Sequence, residues 1–538
     1  MNSIDCKNQT SVRILVVENE NLVRESIVKN LNHWGYHAFC ARGMGPGLLQ
    51  DALIQARQNR CHLALVDLRL LDDYDQREIS GLELVKPLQP TSTIILTAST
   101  DSRMSTNALQ LGALGFVSKS EGPHMLREEL EKALNQLYAR RSEKEIHWPE
   151  GLSSMRVTRL LAGDDASHIA GDQADDVLIR LFPKQSVLKI EPIADSPLAK
   201  TSVLLRPHSL VVQVRADANQ PVIVKLARAA RIQKEIENYE TMVKDKLEGR
   251  YCPQLQGSCV LWDIGGASYT LLGADSIHTF SSVYAASSVK DLAKPLHLLL
   301  GDIWPRSFAG VRNPQPFSLF EAYRRLWSKD WYEQLPPWPQ PRSHMPEPSA
   351  WLLGHCGLDG NADASNLPEQ FSVVCHGDLH GDNLLVDHNG TPWVIDFERT
   401  AIGPELADFV ELEADILNRL AGFEDSDQAA FERMCRIVTR PTSLMETLES
   451  GPGDDERSQK ALSLAQVLRQ IAKRVTGSEN PVPYLWGLLI STLFRARLLH
   501  EQAAAKGEID RTYYLASQIC ARLDSECSNR ITRKPVVH

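Results

Sequence analysis

The chain has 538 residues, of which 43% are hydrophobic, so we expect two or three domains with substantial buried cores. Its formal net charge of −10 disfavours nucleic acid as the main partner, because contacts to phosphate dominate that affinity. The ten cysteines form no C-x-x-C pair, the N-terminus lacks an apolar signal core, and the longest apolar run, over 484–494, is too short to cross a bilayer. We therefore expect a cytoplasmic protein with reduced thiols and no membrane partner.

The first 141 residues alternate between apolar strand patterns and helical patterns. Five such units predict a doubly wound parallel sheet, in which the site lies at the carboxyl ends of the strands. Four of the predicted strands can be placed, over 12–17, 62–66, 93–96 and 115–117, with helices over 21–35 and about 125–141. Polar side chains follow the predicted strand ends: Glu18, Asn19, Asp67, Thr97 and Lys119.

This constellation resembles the receiver domains of two-component response regulators, and we assign residues 1–141 to a receiver-like domain. The resemblance implies that Asp67 is the phosphoacceptor and that Lys119 neutralises the bound phosphoryl group. A carboxylate attacks phosphorus efficiently only where a cation cancels the combined charge. The other pocket residues implied by the resemblance are the pair at the magnesium position and the sensor hydroxyl: Glu18, Asn19 and Thr97. A histidine kinase or another phosphodonor is the implied partner, and a homodimer through the receiver is compatible with the family.

Two positions depart from the receiver pattern. Asn19 places a neutral amide where the family has an Asp ligand, so the metal affinity should fall. Ser120 follows Lys119 where the family usually has proline. A receiver-shaped docking domain that is never phosphorylated is therefore the alternative interpretation.

Residues 142–180 are polar and interrupted by Pro and Gly, which predicts a linker. Beyond them we expect a β-rich lobe over 181–275 and a helical lobe over 276–538. The predicted strands of the β-rich lobe cover 187–190, 201–205, 210–214 and 222–226, and a helix is predicted over 229–247.

The most informative stretch reads H-G-D-L-H-G-D-N over 376–383, followed by V-I-D-F-E over 394–398. It places Asp378, Asn383 and Asp396 on two turns that a hydrophobic strand pair separates. Phosphoryl transfer needs this set, because one carboxylate orients the attacking hydroxyl while an Asn and a second Asp hold magnesium.

The stretch resembles the catalytic and metal-binding loops of aminoglycoside phosphotransferases and choline kinases. The resemblance implies that Asp378 is the catalytic base and that Asn383 and Asp396 are the metal ligands. It also implies that Lys225 grips the phosphates of ATP and that Glu235 on the next helix pairs with it. The fragment G-D-x-H-G fits binuclear metallophosphoesterases too, but their upstream Asp-x-His and downstream Gly-Asn-His are missing.

The stretch that would cover the nucleotide phosphates, over 193–202, contains no glycine. Backbone amides approach an anion most closely in glycine-containing turns, so weakened nucleotide binding is expected. No G-x-x-x-x-G-K-[ST] sequence is present either, which excludes a P-loop enzyme.

The predicted fold class is therefore an α/β receiver with a five-stranded doubly wound parallel sheet, joined to an α+β bilobal protein-kinase-like domain. The predicted function is a phosphotransferase under receiver control, which moves the γ-phosphoryl group of ATP, with Mg²⁺, to a hydroxyl of a small molecule or protein. The alternative is a pseudokinase scaffold with a docking receiver and no turnover. A transcriptional response regulator is disfavoured, because nothing after the receiver reads as a compact basic helix-turn-helix.

Overall fold

The chain folds as two compact units. The first comprises Met1–Gln233 and Leu255–Leu271, and the second comprises Lys234–Gln254 and Leu272–His538. A computed structural model describes residues 12–72, 75, 77–98, 102–138, 144–192, 209–217, 220–247, 249–271, 277–314, 318–327, 330–356, 371–451 and 455–532.

The first unit begins with a five-stranded, wholly parallel sheet of order β2-β1-β3-β4-β5. This arrangement confirms the predicted doubly wound sheet. A strand at His37–Cys40 was not predicted, because it is short and no polar site residue follows it. The strands are β1 Arg13–Val17, β2 His37–Cys40, β3 Leu63–Asp67, β4 Ser92–Thr97 and β5 Gly115–Ser118. The helices are α1 Asn21–His33, α2 Pro46–Gln58, α3 Ser80–Glu83, α4 Ser102–Gln110 and α5 Gly122–Tyr138, with a 3₁₀ turn at Lys119–Glu121.

Each face of this sheet is covered by its own apolar core. Along β1, Ile14 and Val16 belong to one core, and Leu15 and Val17 belong to the other. Successive strand side chains point to opposite faces, so a strand buried on both faces must be apolar throughout. This requirement explains why the strands read as continuous hydrophobic runs in the sequence.

Residues 142–180 do not form the predicted linker over the part that the structure describes. They contain β6 (Glu145–His147), α6 (Ser154–Ala162), α7 (Asp164–Ala170) and most of α8 (Gln173–Leu181). Apolar residues of these helices pack against the sheet that follows. The prediction was wrong because it weighed the Asp-rich composition and missed the helical spacing of the buried side chains: Val157, Leu161, Ala174, Val177 and Leu178.

The second sheet of the first unit has six strands in the order β10-β11-β9-β8-β7-β6. Neighbours are antiparallel except for β6 and β7. The predicted strand over 201–205 and the glycine-free stretch over 193–202 lie outside the described residues. The remaining strands are β7 Val187–Pro192, β8 Ser209–Ala216, β9 Val222–Arg228, β10 Leu255–Val260 and β11 Ile264–Thr270, and helix α9 (Ala229–Asn238) follows β9.

The second unit is mainly helical and contains two small antiparallel sheets of three strands, β12-β15-β16 and β13-β14-β17. Its strands are β12 Ile277–Thr279, β13 Asn313–Pro314, β14 Phe371–Cys375, β15 Leu384–Asp387, β16 Pro392–Val394 and β17 Ala401–Pro404. Its helices are α10 Lys244–Leu247, α11 Phe280–Tyr284, α12 Val289–Leu298, α13 Trp304–Ser307, α14 Leu319–Leu326, α15 Pro348–His355, α16 Ala407–Asp415, α17 Gln428–Thr439, α18 Glu456–Thr476, α19 Pro481–Glu501 and α20 Lys506–Thr532, with π-helical turns at Tyr239–Val243, Leu299–Ile303 and Ile416–Leu420.

Tryptophans between α14 and α15 pack on the long C-terminal helices. Trp327 stacks on Phe494 of α19 with ring centroids 4.0 Å apart, and the indole N–H of Trp338 donates to Asp510 of α20 at 2.8 Å. The Trp-rich segment between α14 and α15 therefore caps the C-terminal helices of the second unit.

None of the helices in the described part of the chain has the length and apolar character needed to cross a membrane.

A buried ion pair joins three helices of the second unit. The Arg469 guanidinium (α18) contacts both oxygens of Glu413 (α16), at 2.6 and 3.2 Å, and the Tyr484 hydroxyl (α19) donates to Glu413 at 2.6 Å. The side chains of Arg469 and Glu413 are 3% and 0% exposed, so neither charge can turn to water when its partner is lost.

We therefore predict that Glu413→Ala lowers the free energy of unfolding by about 3–5 kcal/mol, the cost of leaving a buried charge without its partner. Urea denaturation followed by tryptophan fluorescence measures the change. Asp302→Ala is the matched control, because it breaks an exposed i,i+4 pair with Arg306 that contributes less than about 1 kcal/mol. Equal shifts for the two variants would contradict the prediction.

Candidate functional site

The predicted receiver residues meet at the carboxyl edge of the five-stranded sheet. Glu18 and Asn19 follow β1, Asp67 ends β3, Thr97 ends β4 and Lys119 follows β5. Glu18, Asp67 and Thr97 are 0%, 4% and 3% exposed. The parallel order of β1, β3, β4 and β5 brings these ends together, because adjacent parallel strands finish at the same edge.

Lys119 joins the two carboxylates of this pocket. Its Nζ lies 2.7 Å from Glu18 Oε2 and 2.9 Å from Asp67 Oδ1. Burial disfavours the ammonium charge, but Asp67 and Glu18 outweigh that cost and raise the pKa of Lys119 above its ordinary value. Asp67 therefore lies beside a permanent positive charge, which is what an attacking carboxylate needs at a phosphoryl group.

The donor set suits a hard cation such as Mg²⁺ only in part. Glu18 and Asp67 supply carboxylate oxygens, and Asn19 supplies at most an amide oxygen. Lys119 already shares both carboxylates, so a cation here would compete with its ammonium. The residues present would therefore offer a cation less negative charge than a fully acidic set of ligands would.

In the second unit, a buried carboxylate shapes the loop over 376–383. Asp408 at the start of α16 accepts hydrogen bonds from the backbone N–H groups of His376 and Gly377, both at 2.9 Å. The His376 ring contacts the carbonyl of Ile395 at 2.9 Å, and the Asn383 amide donates to the carbonyl of Asp378 at 2.9 Å. Asp408 thus braces the loop through backbone contacts.

The hairpin of β15 and β16 places Asn383 next to the turn that carries Asp396. Leu384 pairs with Val394, and the Ile395 N–H donates to the Asn383 carbonyl at 3.1 Å. Asp396 follows directly and has a φ of +68°, a left-handed conformation that is uncommon for a residue other than glycine. Such strain is concentrated at functional sites.

The chain after Asp396 is held by helix α9. The Asn238 amide donates to the carbonyls of Phe397 and Glu398, at 3.0 and 2.7 Å. Tyr239 packs on the Phe397 ring in an edge-on contact, with centroids 5.8 Å apart. These contacts fix the backbone on one side of the Asp396 turn.

Arg399 is a site residue that the sequence did not reveal. Its guanidinium lies 2.7 Å from Asp378 Oδ1. Burial disfavours its charge, but four surrounding acidic groups keep its pKa above the ordinary value: Asp378, Glu411, Glu398 and Asp396. The only sequence signal for Arg399 was its place directly after the motif.

Lys225 and Glu235 lie in different compact units. Lys225 is on β9, paired in register with Val211 of β8 and Ala267 of β11, and it is 5% exposed. Glu235 is on α9 and is 2% exposed. The contact between them stays a prediction.

Two family models match parts of the chain. Residues 14–131 match the response regulator receiver domain, and residues 329–497 match the family described as ternary complex associated domain 9. The family match thus identifies the N-terminal region as a receiver domain, in agreement with its five-stranded parallel sheet. The second match contains all three residues of the predicted phosphotransferase motif: Asp378, Asn383 and Asp396.

Curated relatives share the chain over a limited length. A Picosynechococcus protein named "Probable transcriptional regulatory protein" is 30% identical over 132 residues, which cover 23% of this chain and 49% of that protein. The transcriptional regulatory protein CrdR of Helicobacter pylori is 30% identical over 112 residues, 20% of this chain and 47% of that protein. The chain spans about half the length of these relatives.

A solved receiver domain of Methanospirillum hungatei, described as CheY-like, is 26% identical to the chain. It is covered over 96% of its length and matches 24% of this chain, with a TM-score of 0.20.

We predict that Asn19→Asp strengthens Mg²⁺ binding at the receiver pocket by about tenfold, because ligand charge sets the affinity for a hard cation. Isothermal titration with MgCl₂ measures the dissociation constant. Asn21→Asp adds the same charge at the exposed start of α1 and serves as the control. The prediction fails if both variants bind Mg²⁺ as the wild type does.

Proposed function

We propose that the receiver domain is the phosphorylation input of a phosphotransferase, which moves the γ-phosphoryl group of ATP to a hydroxyl of a small molecule or protein. In this proposal Asp67 receives a phosphoryl group from a histidine kinase or another phosphodonor. Asp378 orients the acceptor hydroxyl, and Lys225, supported by Glu235, positions the nucleotide. The observation that carries the output is the β15–β16 hairpin, which sets Asn383 beside the Asp396 turn.

The input is supported by the position of Lys119. Phosphorylation adds negative charge to a pocket that already holds Glu18 and Asp67, and the Lys119 ammonium contacts both. Its charge offsets the repulsion that would otherwise oppose attack by Asp67. Thr97 and Asn19 complete the pocket as the proposed phosphoryl sensor and a neutral metal ligand.

The output is supported by the oxygen atoms around the hairpin. The Asn383 amide nitrogen donates to the Asp378 carbonyl, so its oxygen is the atom left to meet a cation. With Asp396 it would hold Mg²⁺, which neutralises charge on the β- and γ-phosphates during transfer. Asp378 is 19% exposed through its side chain, which leaves it accessible to an acceptor.

The six-stranded sheet supports a nucleotide-binding lobe. Lys225 lies on an interior strand between two antiparallel neighbours, and a helix follows that strand directly. A buried lysine at this place is consistent with the phosphate-gripping residue of kinase-like proteins.

A second candidate function is a signalling scaffold without turnover. It is favoured by the ion pair between Arg399 and Asp378 at 2.7 Å, since this guanidinium occupies a carboxylate oxygen that an acceptor hydroxyl would otherwise meet. The description of the matched family as ternary complex associated also favours a partner-binding output. The two candidates differ in whether ATP is consumed.

The first test measures ATP consumption with Mg²⁺ and a broad panel of hydroxyl acceptors. We expect Asp378→Asn to lower kcat by about 10²–10⁴-fold, because the proposed base is lost, while Mg-ATP still binds. Asp396→Asn should weaken Mg-ATP binding as well. Asp382→Asn is the control, because this carboxylate lies in the same loop, is 49% exposed and pairs with Arg419.

A wild-type protein that binds ATP and consumes no more of it than Asp396→Asn would establish the scaffold. A wild-type protein that neither binds nor consumes ATP would remove the nucleotide-binding proposal altogether.

The second test addresses the input. We expect acetyl phosphate with Mg²⁺ to phosphorylate Asp67, and Lys119→Gln to reduce the extent of labelling, because the compensating ammonium is lost. Intact-mass spectrometry and peptide mapping measure it. Asp75→Asn, in the exposed acidic loop after β3, is the control. Labelling that persists in Asp67→Asn would contradict the assignment.

A further inference from the structure

The loop that leads into β3 of the receiver contacts the turn between β10 and β11, within the first unit. Arg60 forms a two-pronged ion pair with Asp263, with Nε–Oδ2 and Nη2–Oδ1 distances of 3.0 Å each. Beside it, the Trp262 indole N–H donates to the Cys61 carbonyl at 3.2 Å. A paired, planar contact of this kind fixes orientation as well as distance.

Asp263 is also bonded to two helices of the same unit. Its carbonyl accepts the N–H of Ala229, the first residue of α9, at 2.9 Å. Its side chain accepts from the Gln173 amide at 2.7 Å, and its own N–H donates to the Gln173 oxygen at 3.0 Å. A displacement of Asp263 must therefore disturb the start of α9 and the start of α8.

The same turn is continuous with the strand that pairs with Lys225. β11 begins at Ile264, directly after Asp263, and Ile264 pairs with Arg228 at the end of β9. Further along the two strands, Ala267 pairs with Lys225. Two successive residues, Asp263 and Ile264, thus contact the last residue of β9 and the first residue of α9.

A buried polar cluster also connects the receiver to helix α8. His62 Nε2 lies 3.2 Å from Asp176 Oδ2 on α8, and the Arg13 N–H donates to His62 Nδ1 at 2.9 Å. Burial lowers the pKa of His62, so the ring stays neutral, with Nδ1 accepting and Nε2 donating. His62 and Asp176 are 5% and 1% exposed.

Arg60 occupies a backbone position that favours glycine. It follows the end of α2 with a φ of +47°. The Cys61 N–H donates to the Ala56 carbonyl at 3.0 Å and the Arg60 N–H donates to the Arg57 carbonyl at 3.3 Å, the pairing of a helix end in which the left-handed residue is usually Gly. Backbone conformation therefore does not explain an arginine here. Its side chain contacts Asp263 through Nε and Nη2, and its Nη1 donates to the carbonyls of Arg57 and Gln58.

We propose that Arg60 and Asp263 are positioning residues through which the receiver holds the Lys225-bearing strand and the start of α9. The strand β3 begins next to this contact and ends at the phosphoacceptor Asp67, so one buried strand connects the input pocket to it. The proposal rests on the proposed function for the roles of Lys225 and Asp67, and the contact itself does not depend on either.

The test uses the full chain and hydrogen–deuterium exchange of the peptide that contains Ala229. Arg60→Gly keeps a favourable backbone at the helix end and removes the side chain, so a purely structural turn would be left unharmed. We expect Arg60→Gly and Asp263→Asn each to speed exchange of this peptide about tenfold, with peptides of the receiver core unchanged. Arg57→Gln, an exposed arginine on the last turn of α2, is the control.

The double variant Arg60→Gly/Asp263→Asn should exchange no faster than either single variant, because both remove the same contact. Unchanged exchange in the single variants, or additive effects in the double variant, would overturn the proposal. In the ATP assay, Arg60→Gly should raise the KM for ATP more than it changes kcat. If the wild type does not bind ATP, the proposed function fails, and the exchange experiment still decides the contact.

Discussion

Compensation of buried charge is the constraint on which both candidate sites depend. An ionised side chain that leaves water must find an opposite charge or several hydrogen bonds. Lys119 lies between Glu18 and Asp67, and Asp408 receives two backbone N–H groups. These pairings fix the positions of the loops, because hydrogen bonds and ion pairs depend on distance and direction. Apolar packing depends less on direction and fixes a loop less specifically.

The receiver sheet could be predicted because each of its strands has a signal in a few consecutive residues. A strand buried on both faces must be apolar throughout, and polar residues at its carboxyl end stand out against that run. The linker over 142–180 was misread because its acidic and small residues dominate the composition. The residues that decide its structure, such as Val157 and Val177, are few and recur at helical spacing. The polar composition of such a segment comes from the exposed face of its helices, whereas the spacing of its few apolar residues indicates the buried face.

In the candidate sites, contacts between residues close in sequence could be predicted, and contacts between distant residues could not. Asn383 and Asp396 could be predicted because a short hairpin connects them, so their sequence spacing already implies proximity. The contacts of Arg399 with Asp378 and of Arg60 with Asp263 could not. The second joins residues 203 positions apart, and a surface arginine has no periodicity that distinguishes it. The φ of Asp396 was likewise invisible, because the backbone conformation of a turn depends on the packing around it.

Arg60, at the end of α2, affects whether the receiver can be exchanged between proteins as an independent domain. At a helix end of this kind the left-handed position is ordinarily glycine, which suits that backbone and offers no side chain to a neighbour. A receiver with glycine at this position would fold and would lack the side chain that contacts Asp263 in the neighbouring sheet. Conversely, this receiver isolated from its chain would lose the Asp263 contact and keep only the local hydrogen bonds of Arg60 Nη1 to the carbonyls of Arg57 and Gln58, at 3.0 and 3.2 Å. The boundary between the receiver and the sheet beside it is therefore held by side chains from both, with Arg60 and Asp263 at its centre.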